Sequence, residues 1–486
     1  MISRRRFVEG ATAGALFATS PTLAQSGSDW SEDIRLLRRA YDTLHPGLYR
    51  YASPAVISDR LERLERRFAR GLSLSEAYLQ LSEFLTTIQC GHTYANFYNQ
   101  SDTVTATLFE GATRLPFQFR WLGNRMVVTA EGGGVERGSE ILKIDGVPAK
   151  KVLRVLMKYA RADGGNDAKR RALLSVTGDD SYETFDVFQG LLFPPHEGAF
   201  RLELCARPGD EPATVTARAI DLAARRKMSP AASNGENSPE WTLAWSSDHT
   251  GVLTMPSWAL YDSSWDWKGF LNNVFAEIAD RNATGLVIDL RGNEGGLDCG
   301  HEIIARLIGE GLTLDGYQRR VRYRKVPDDL NRYLDTWDNS FRDWGDQAAP
   351  LDERFFVQKK YDDDARGEVI GPKGPRFTGK AAVLIDSQNS SATFQFARIV
   401  QENRLATLIG EPTGGNKRGI NGGAFFFLRL PKSGIEVDLP LIGFFPQHPQ
   451  PDEGLTPDIL AAPSIDDIRE GRDIVLEKAL GLMRSP

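Results

Sequence analysis

The feature that most constrains this chain is an alternation of buried strands and helices between residues 250 and 460. Continuous apolar runs at 284–290 and 381–385 are typical of strands that are buried on both faces of a parallel sheet. Each run is followed by a polar turn and then by a segment with helical periodicity, at 300–309 and 392–403. Strands joined in this way by helices predict an α/β core.

Two further regions precede this core, as expected for a chain of 486 residues, which exceeds the size that one hydrophobic core usually serves. Residues 28–100 carry apolar side chains three and four positions apart, which predicts an N-terminal helical region. Residues 104–225 are rich in strand patterns. Within them, the run Arg137–Gly146 alternates like a strand and ends at Asp145-Gly146, a pair that favours a tight hairpin turn. An ordinary β-hairpin would account for these residues alone.

The remaining boundaries follow from composition. A polar linker rich in Ser, Asn and Pro leads into the core, which is predicted to occupy residues 240–465. A charged and aromatic insertion interrupts it at 312–372 and is a candidate lid by length and polarity alone. Residues 466–486 are predicted to form a C-terminal helix.

The N-terminus has the three parts of an export signal. Ser3-Arg4-Arg5-Arg6-Phe7 matches the twin-arginine motif, a mildly apolar run follows, and Thr22-Leu23-Ala24 places small residues at a cleavage position. We therefore expect residues 1–24 to be a Tat signal peptide and the mature protein, beginning near Gln25, to lie in the periplasm. The alternative is a basic first turn of a helix.

Charge and cysteine content limit the partners. The formal net charge is −6 and the mature part has no long basic run, which argues against a nucleic-acid partner. The apolar run near the N-terminus is too short to span a bilayer, so no stable membrane insertion is expected. Cys90, Cys205 and Cys299 are odd in number, so at least one thiol stays free, and a disulfide between the other two is left open.

Three segments carry candidate chemistry. Ser390 and Ser391 lie between a buried strand and a helix, where the helix N-terminus favours negative charge, although either serine could simply cap the helix. Gly295 and Gly296 follow an earlier strand, and successive backbone N–H groups in such a loop can bind an oxyanion. A Gly-rich loop at 410–419 lacks the residue order of a phosphate-binding loop.

Together these segments resemble peptidase family S41, the family of tail-specific C-terminal-processing proteases and tricorn-core proteins. The resemblance is carried by D-L-R-x-N-x-G-G at 289–296, by the serine segment at 389–393 and by Gly-Glu-Pro-Thr at 410–413. It implies a crotonase/ClpP-like α/β core, and it makes residues 104–225 a PDZ-like β-rich domain that would hold peptide by strand addition. It also implies an exported serine peptidase that acts on unfolded polypeptide or a peptide C-terminus and needs no metal or organic cofactor.

The resemblance places the nucleophile at Ser391, which precedes Gly410 by the nineteen residues that the family keeps. The expected reaction is hydrolysis of a peptide bond through an acyl-enzyme on this serine. The oxyanion donors would be the backbone N–H groups of Gly295 or Gly296 and of Ala392.

The general base is open between two residues. Tail-specific proteases place a lysine in the Gly-rich loop, but that position is Asn416 here and Lys417 lies one residue later. Tricorn-like members instead use a histidine at the end of the N-terminal helical region, a placement that His92 matches. A lysine must lose its charge before it can accept a proton, whereas a histidine titrates near neutrality, so we favour His92.

Two further departures from the family pattern keep rival functions open. Phe394 stands where the usual serine motif has Glu, and the supporting acid near the final Pro-Asp pair could be Asp452 or Glu453. One rival is a catalytically inactive periplasmic protein of the same fold that binds peptide or another ligand. The other is an esterase or amidase that uses the same serine.

Overall fold

The structure of the chain is a computed structural model. It describes residues 28–178, 180, 182–228, 241–247, 249–261, 263–314, 316–359 and 369–484. The predicted signal peptide and most of the predicted linker lie outside these residues. No helix within the described ranges is long and apolar enough to cross a membrane.

The N-terminal region is helical, as predicted, and three of its helices begin at serine caps. The side chains of Ser53, Ser73 and Ser101 accept hydrogen bonds from backbone N–H groups in the first turn of the following helix, where those donors have no partner inside the helix. The helices are α1 (Ser31–Leu44), α2 (Pro54–Phe68), α3 (Leu74–Thr86) and α4 (Asp102–Leu108).

An antiparallel sheet follows. Its elements, with the helices between and after them, are β1 (Gln118–Leu122), β2 (Arg125–Ala130), β3 (Glu140–Ile144), β4 (Val147–Pro148), α5 (Ala149–Leu156), α6 (Asp167–Leu173), α7 (Thr184–Leu192), β5 (Ala199–Cys205), β6 (Ala213–Arg218) and α8 (Leu222–Lys227). The strand order is β1-β2-β3-β5-β6, and β4 pairs with β3. Asp145 and Gly146, with φ of +49° and +78°, join β3 to β4, so the predicted tight turn is confirmed.

The second half of the chain contains the α/β core, the insertion and the C-terminal helices. In chain order its elements are β7 (Thr242–Ser247), β8 (Thr250–Thr254), α9 (Trp267–Asp280), β9 (Gly285–Asp289), α10 (Gly300–Leu307), β10 (Leu312–Thr313), β11 (Tyr317–Val321), α11 (Asp328–Asn331), β12 (Leu334–Asp335), short 3-10 helices at Asn339–Arg342 and Gly345–Gln347, β13 (Ala348–Pro350), β14 (Phe356–Gln358), β15 (Val369–Ile370), β16 (Lys380–Ile385), α12 (Ser391–Glu402), β17 (Thr407–Gly410), β18 (Asn421–Arg429), β19 (Glu436–Pro446), β20 (Ile459–Leu460), α13 (Ile465–Glu470) and α14 (Ile474–Arg484).

The predicted α/β core is confirmed as a six-stranded sheet of order β20-β17-β16-β9-β8-β7. Every neighbouring pair in it is parallel except β7 with β8. Both faces of the sheet are covered: Leu286 and Ile288 belong to one apolar cluster, and Val287 between them belongs to another. This burial explains why the predicted strands read as continuous apolar runs.

The insertion belongs to another sheet of the second half of the chain, which we call the second sheet to distinguish it from the core sheet. Its strands β11 to β14 combine with β18 and β19 in the order β12-β18-β19-β11-β14-β13, with every pairing antiparallel. The insertion thus contributes four short strands to this sheet, and the lid, which rests on length and polarity alone, stays a prediction. This sheet carries the aromatic run Phe425–Phe427, of which Phe426 is fully buried.

A buried carboxyl group links the second sheet to the chain that follows His92. Asp438 in β19 accepts hydrogen bonds from the side-chain amides of Asn96 (2.7 Å) and Asn99 (3.1 Å). Its backbone N–H donates to the carbonyl oxygen of Tyr94 at 3.0 Å. Burial raises the pKa of Asp438 to about 8, because the charged carboxylate is disfavoured away from water.

We expect the protein to be more stable at pH 5 than at pH 7 through Asp438. Since its folded-state pKa lies above the unfolded value of 3.8, the native state holds this proton more tightly. That contribution is complete below about pH 4 and is lost as the pH rises towards 8, by about 1.4 kcal/mol per pH unit. Urea unfolding of the wild type and of Asp438→Asn at both pH values measures it. An equal pH slope in the two proteins would contradict the assignment.

Candidate active site

The turn between β16 and α12 is held by a buried asparagine. Asn389, 1% exposed, donates from Nδ2 to the carbonyl oxygens of Leu290 (2.5 Å) and Asn293 (3.0 Å). Thr393 Oγ1 also donates to the Asn293 carbonyl at 2.8 Å. These bonds join the turn to the loop after β9, since β9 and β16 are adjacent parallel strands whose carboxyl ends share one edge of the sheet.

Ser391, the first residue of α12, has a strained backbone. Its φ is +54°, a left-handed value that costs a residue other than glycine roughly 1–3 kcal/mol. The side chain is half-buried, and its hydroxyl makes no hydrogen bond within the described part of the chain. A sharp turn from strand to helix is the arrangement that presents a nucleophilic serine hydroxyl to a ligand.

The neighbouring Ser390 is engaged differently. Its backbone is extended and it occupies the cap position of α12, but its side chain makes no cap hydrogen bond. Instead Oγ donates to the carbonyl oxygen of Glu294 at 3.2 Å and lies 3.4 Å from Nζ of Lys169. The alternative in which Ser390 only caps the helix is therefore wrong.

The double-glycine loop lies against Ser391. A Cβ atom at Gly295 would lie 2.9 Å from both Cβ of Ser391 and the backbone nitrogen of Ala392, so only glycine fits this position. Gly296 has φ of +146°, and a Cβ there would overlap the carbonyl of Trp258. Because these two residues are glycines, only backbone atoms of the loop lie next to Ser391.

The structure narrows the predicted oxyanion donors. The N–H of Gly295 already donates to Oδ1 of Asn293 at 2.9 Å, which favours Gly296 among the two predicted glycine donors. Glycine at position 295 instead allows the backbone of this loop to lie close to Ser391. The N–H groups of Gly296 and Ala392 donate no hydrogen bond to any described residue, and they remain as candidate donors.

Charged side chains hold the start of the double-glycine loop in place. Arg291 donates to both carboxylate oxygens of Asp289 and to both of Asp473, at the start of α14, at 2.6–2.9 Å. The N–H of Gly292 donates to Oδ2 of Asp386 at 2.9 Å. These bonds explain the Asp and Arg of the D-L-R-x-N-x-G-G motif as supports for the loop.

The Gly-rich loop packs against the other side of the serine turn. The N–H groups of Gly414 (2.8 Å) and Gly415 (3.0 Å) both donate to the carbonyl oxygen of Asn389. Phe394, 2% exposed, covers Gly415, where a Cβ would lie 2.3 Å from its ring. Phenylalanine at position 394 is thus a packing residue between this loop and α12.

The structure pairs Lys417 with Glu453, two of the predicted site residues. Nζ of Lys417 lies 2.9 Å from Oε1 of Glu453, with side-chain exposures of 29% and 58%. The buried position next to this lysine is Asn416, which donates to Oδ1 of Asp452 (2.6 Å) and to the carbonyl of Asp163 (3.2 Å). A lysine that serves as a base needs a buried site away from water, which this solvent-facing ion pair does not provide.

His92 lies in a turn that Asp163 holds. Oδ1 of Asp163 accepts a hydrogen bond from the N–H of Gly91 at 2.9 Å. The ring of His92 packs against Phe425, with centroids 5.7 Å apart, and faces the backbone of Gly422. Its Nδ1 is buried and has no hydrogen-bond partner among the described residues. Burial lowers the pKa of His92, with Asp163 opposing this shift, so the ring is a neutral base at neutral pH.

Residues 161–170, which we term the connecting segment, contact all four of these loops. Lys169 donates to Oε1 of Glu294 (2.5 Å) and to the carbonyl of Gln388 (2.8 Å). Asn166 donates to the carbonyls of Thr413 and Gly415, and Asp163 holds Gly91. The connecting segment is therefore the piece that joins the serine turn, the glycine loops and the histidine turn.

A buried ion network joins the connecting segment to the double-glycine loop. Glu294 contacts both Lys169 and Arg161, whose side chains are 6% and 9% exposed. Although burial alone would raise it, the two cations lower the pKa of Glu294 to about 2. The electrostatics of His92 include Asp163, Arg161, Glu294 and Lys169, which places the histidine beside the network that contacts Ser390.

Sequence reasoning missed the connecting segment. Asn166-Asp167 has the form of a helix start, but the run 161–171 is polar and charged, and such runs are typical of exposed loops. The partners of Lys169 and Arg161 lie more than a hundred residues away along the chain. No local pattern predicts that these cations are buried.

The three cysteines of the chain form no disulfide bond. Cys90, Cys205 and Cys299 are all free in the structure, so no disulfide forms among them. Within the described ranges, no group of three or more His, Cys, Asp or Glu side chains converges as metal ligands would.

Comparison with known proteins gives the family and the fold. The sequence model of peptidase family S41 matches residues 249–461. No curated protein sequence matches the chain. Among solved structures, mature CPAF in complex with lactacystin aligns with a TM-score of 0.61 at 16% identity, covering 94% of this chain and 97% of that one. Another structure of mature CPAF aligns with a TM-score of 0.58 at 17% identity, covering 94% and 96%.

These likenesses extend the fold beyond the matched region, since the alignments cover nearly the whole of both chains. The matched region 249–461 contains the double-glycine loop, the serine turn and the Gly-rich loop. Residues 249–461 therefore match peptidase family S41, and this match supports a serine-type peptidase.

Proposed function

We propose that this protein is an exported peptidase that hydrolyses peptide bonds through an acyl-enzyme on Ser391, with His92 as general base. The observation that carries this proposal is the left-handed backbone of Ser391, held against the double-glycine loop with its hydroxyl unbonded. Strain of this kind persists only where the surroundings enforce it, and here several hydrogen bonds do so.

The geometry supports a sequence of acyl-transfer steps. His92 takes the proton of Ser391 as Oγ attacks the substrate carbonyl carbon. The N–H groups of Gly296 and Ala392 bind the oxyanion of the tetrahedral intermediate. The protonated histidine then gives its proton to the leaving amine, and a water molecule, activated by the same histidine, hydrolyses the ester on Ser391.

Lys417 is the weaker candidate for the base. It is paired with Glu453 and faces solvent, whereas His92 is partly enclosed and lies beside the network that contacts the serine turn. The nearest acid to the histidine turn is Asp163, which holds the N–H of Gly91. We assign Asp163 as a positioning residue for His92, in the place for which the sequence offers Asp452 or Glu453.

The proposal also includes export to the periplasm and the class of polypeptide that is cleaved. The twin-arginine motif at Ser3–Phe7 supports export to the periplasm, and the family supports unfolded polypeptide or a peptide C-terminus as substrate. If the sheet of β1 to β6 is PDZ-like, it would hold such a chain by strand addition.

The proposal is tested by labelling. The mature chain, beginning at Gln25, should react with a fluorophosphonate probe, and mass spectrometry should locate the adduct on Ser391. It should also cleave unfolded casein. Absence of labelling would support the inactive binding protein instead. Labelling with turnover of esters or small amides but not of peptides would support the esterase or amidase.

We expect the buried ion network to affect turnover more than substrate binding. Lys169→Met removes the cation that joins Glu294 to the serine turn and leaves that carboxylate less compensated, so kcat should fall by about 10- to 100-fold with little change in KM. Steady-state cleavage of a quenched peptide measures both constants. Lys143→Met, which breaks the exposed Lys143–Glu203 pair of similar length, is the matched control and should leave both unchanged. A rise in KM alone would contradict a positioning role.

A further inference from the structure

We propose that a group of arginines beside the catalytic residues selects acidic side chains in the substrate, an inference that rests on the proposed peptidase function. We call this group the arginine surface; its members are Arg50, Arg320, Arg322, Arg354 and Arg418. It is unexpected in a chain with a formal net charge of −6.

Four members of the arginine surface stack on a pair of phenylalanines, and the fifth, Arg418, stacks on Tyr51 and accepts a hydrogen bond from Arg50 at its carbonyl oxygen. Phe355 and Phe445 pack edge to face with ring centroids 5.5 Å apart. The guanidinium carbons of Arg50 and Arg320 lie 4.2 and 4.6 Å from the centroid of Phe445. Those of Arg322 and Arg354 lie 5.4 and 5.8 Å from the centroid of Phe355. The rings hold the guanidinium groups near one another, which their mutual repulsion would otherwise oppose.

These cations are not neutralised by ion pairs. None of the five has a carboxylate oxygen within 4.0 Å among the described residues, because the nitrogens that are bonded donate to backbone carbonyls or amide side chains. The acids within electrostatic reach are Asp42 and Asp352 for Arg322, and Asp163 for Arg50. Asp352 is bonded to backbone N–H groups.

Arginines elsewhere in the fold are paired. Arg225 contacts Asp186, and Arg291 contacts Asp289 and Asp473. The arginine surface differs from them in lacking such a partner, so it retains positive charge that a ligand can neutralise. A guanidinium group binds a carboxylate in a planar, two-bond geometry, which makes acidic side chains the natural ligand.

The arginine surface adjoins the catalytic residues on two sides. Arg50 donates to Oδ1 of Asn421 at 2.9 Å, and Asn421 contacts Sγ of Cys90 and precedes Gly422, which faces the ring of His92. On the other side, β11 begins at Tyr317, whose hydroxyl oxygen accepts a hydrogen bond from Gln395 at 3.2 Å.

Gln395 lies one helical turn after Ser391 on α12. The arginine surface therefore lies along β11 and the end of β19, between the histidine turn and the helix of the serine. A peptide bound across the catalytic residues would place side chains on one flank of the scissile bond against it.

Paired peptides test this inference without requiring turnover. The probes are a 12-residue unstructured peptide with three spaced glutamates and the same peptide with three glutamines, each labelled with fluorescein. Binding is measured by anisotropy on the mature Ser391→Ala chain. We expect the glutamate peptide to bind about tenfold more tightly, and the ratio to shrink in 0.5 M NaCl.

Variants locate the effect. Arg320→Gln/Arg322→Gln in the Ser391→Ala chain should reduce the ratio to within about threefold, and the single variant Arg354→Gln, at an exposed position, should reduce it partly. Arg281→Gln is the matched control, because Arg281 also stacks on an aromatic ring, 4.4 Å from the centroid of Trp245, on a distant edge of the core. It should leave the ratio unchanged.

Three results separate this inference from the proposed function. Equal affinity for the two peptides would overturn the arginine surface as an acid-selecting site, as would a glutamate preference that survives in the double variant. If the double variant melts at a lower temperature than the Ser391→Ala chain, the affinity ratio of the single variant Arg354→Gln decides whether the arginine surface selects acidic side chains. A glutamate preference in a chain whose Ser391 does not react with fluorophosphonate would support the arginine surface and refute the hydrolase.

Discussion

Ser391→Ala should abolish peptide hydrolysis, with kcat lowered by on the order of 10⁴-fold or more, and should abolish fluorophosphonate labelling. The reason is chemical: without the hydroxyl, no acyl-enzyme can form, and only the oxyanion donors and substrate binding remain. The fold should be retained, because the Ser391 hydroxyl bonds to no described residue. Removing the hydroxyl should leave the backbone strain at position 391 unchanged, because alanine is also disfavoured at φ of +54°.

Ser390→Ala is the matched control for this experiment. It removes a hydroxyl one residue away, at 3.2 Å from the Glu294 carbonyl and 3.4 Å from Lys169. Labelling should persist and kcat should fall by no more than about tenfold, as expected when one hydrogen bond of a supporting residue is lost. The opposite pattern, with activity lost in Ser390→Ala and kept in Ser391→Ala, would move the nucleophile to Ser390 and make Lys169 its partner.

The α/β core could be predicted because its signal is local. The runs at 284–290 and 381–385 are apolar on both faces, and the helices after them have their own period. The loops that follow parallel strands must then meet at one edge of the sheet. The resemblance to peptidase family S41 placed Ser391 near Gly295 and Gly296, and the structure shows Gly295 against it.

What sequence could not predict depends on contacts that are distant along the chain. Lys169 is buried only because Glu294, 125 residues later, compensates its charge. The amide of Gly295 is occupied only because Asn293 turns its side chain back onto it. The insertion forms strands because β18 and β19, roughly a hundred residues after its start, offer edges for pairing. Propensity and periodicity contain none of this information.

The general base is settled by pairing His92→Ala with Lys417→Ala. If His92 is the base, its alanine variant should lose on the order of 10³-fold or more in kcat/KM, because Ser391 then has no proton acceptor. Lys417→Ala should change kcat/KM by less than about threefold, since it only breaks a solvent-facing ion pair with Glu453. Cleavage of one quenched peptide by the three proteins at pH 7.5 gives the comparison.

The pH profile supplies an independent measurement of the same assignment. Burial lowers the pKa of His92 below its ordinary value of 6.5, and a base must be unprotonated to act. Activity should therefore persist below pH 6.5, with the acidic limb of log kcat/KM falling at slope 1 at a lower pH than a solvent-exposed histidine would give. A lysine base would instead produce a rising limb that continues above neutrality.

Because Asp163 opposes the lowering of the His92 pKa, Asp163→Asn should move the acidic limb to still lower pH, an effect that loss of folding alone would not produce. A profile of Asp163→Asn that is unshifted, or shifted upwards, would show that this carboxylate does not act on the histidine.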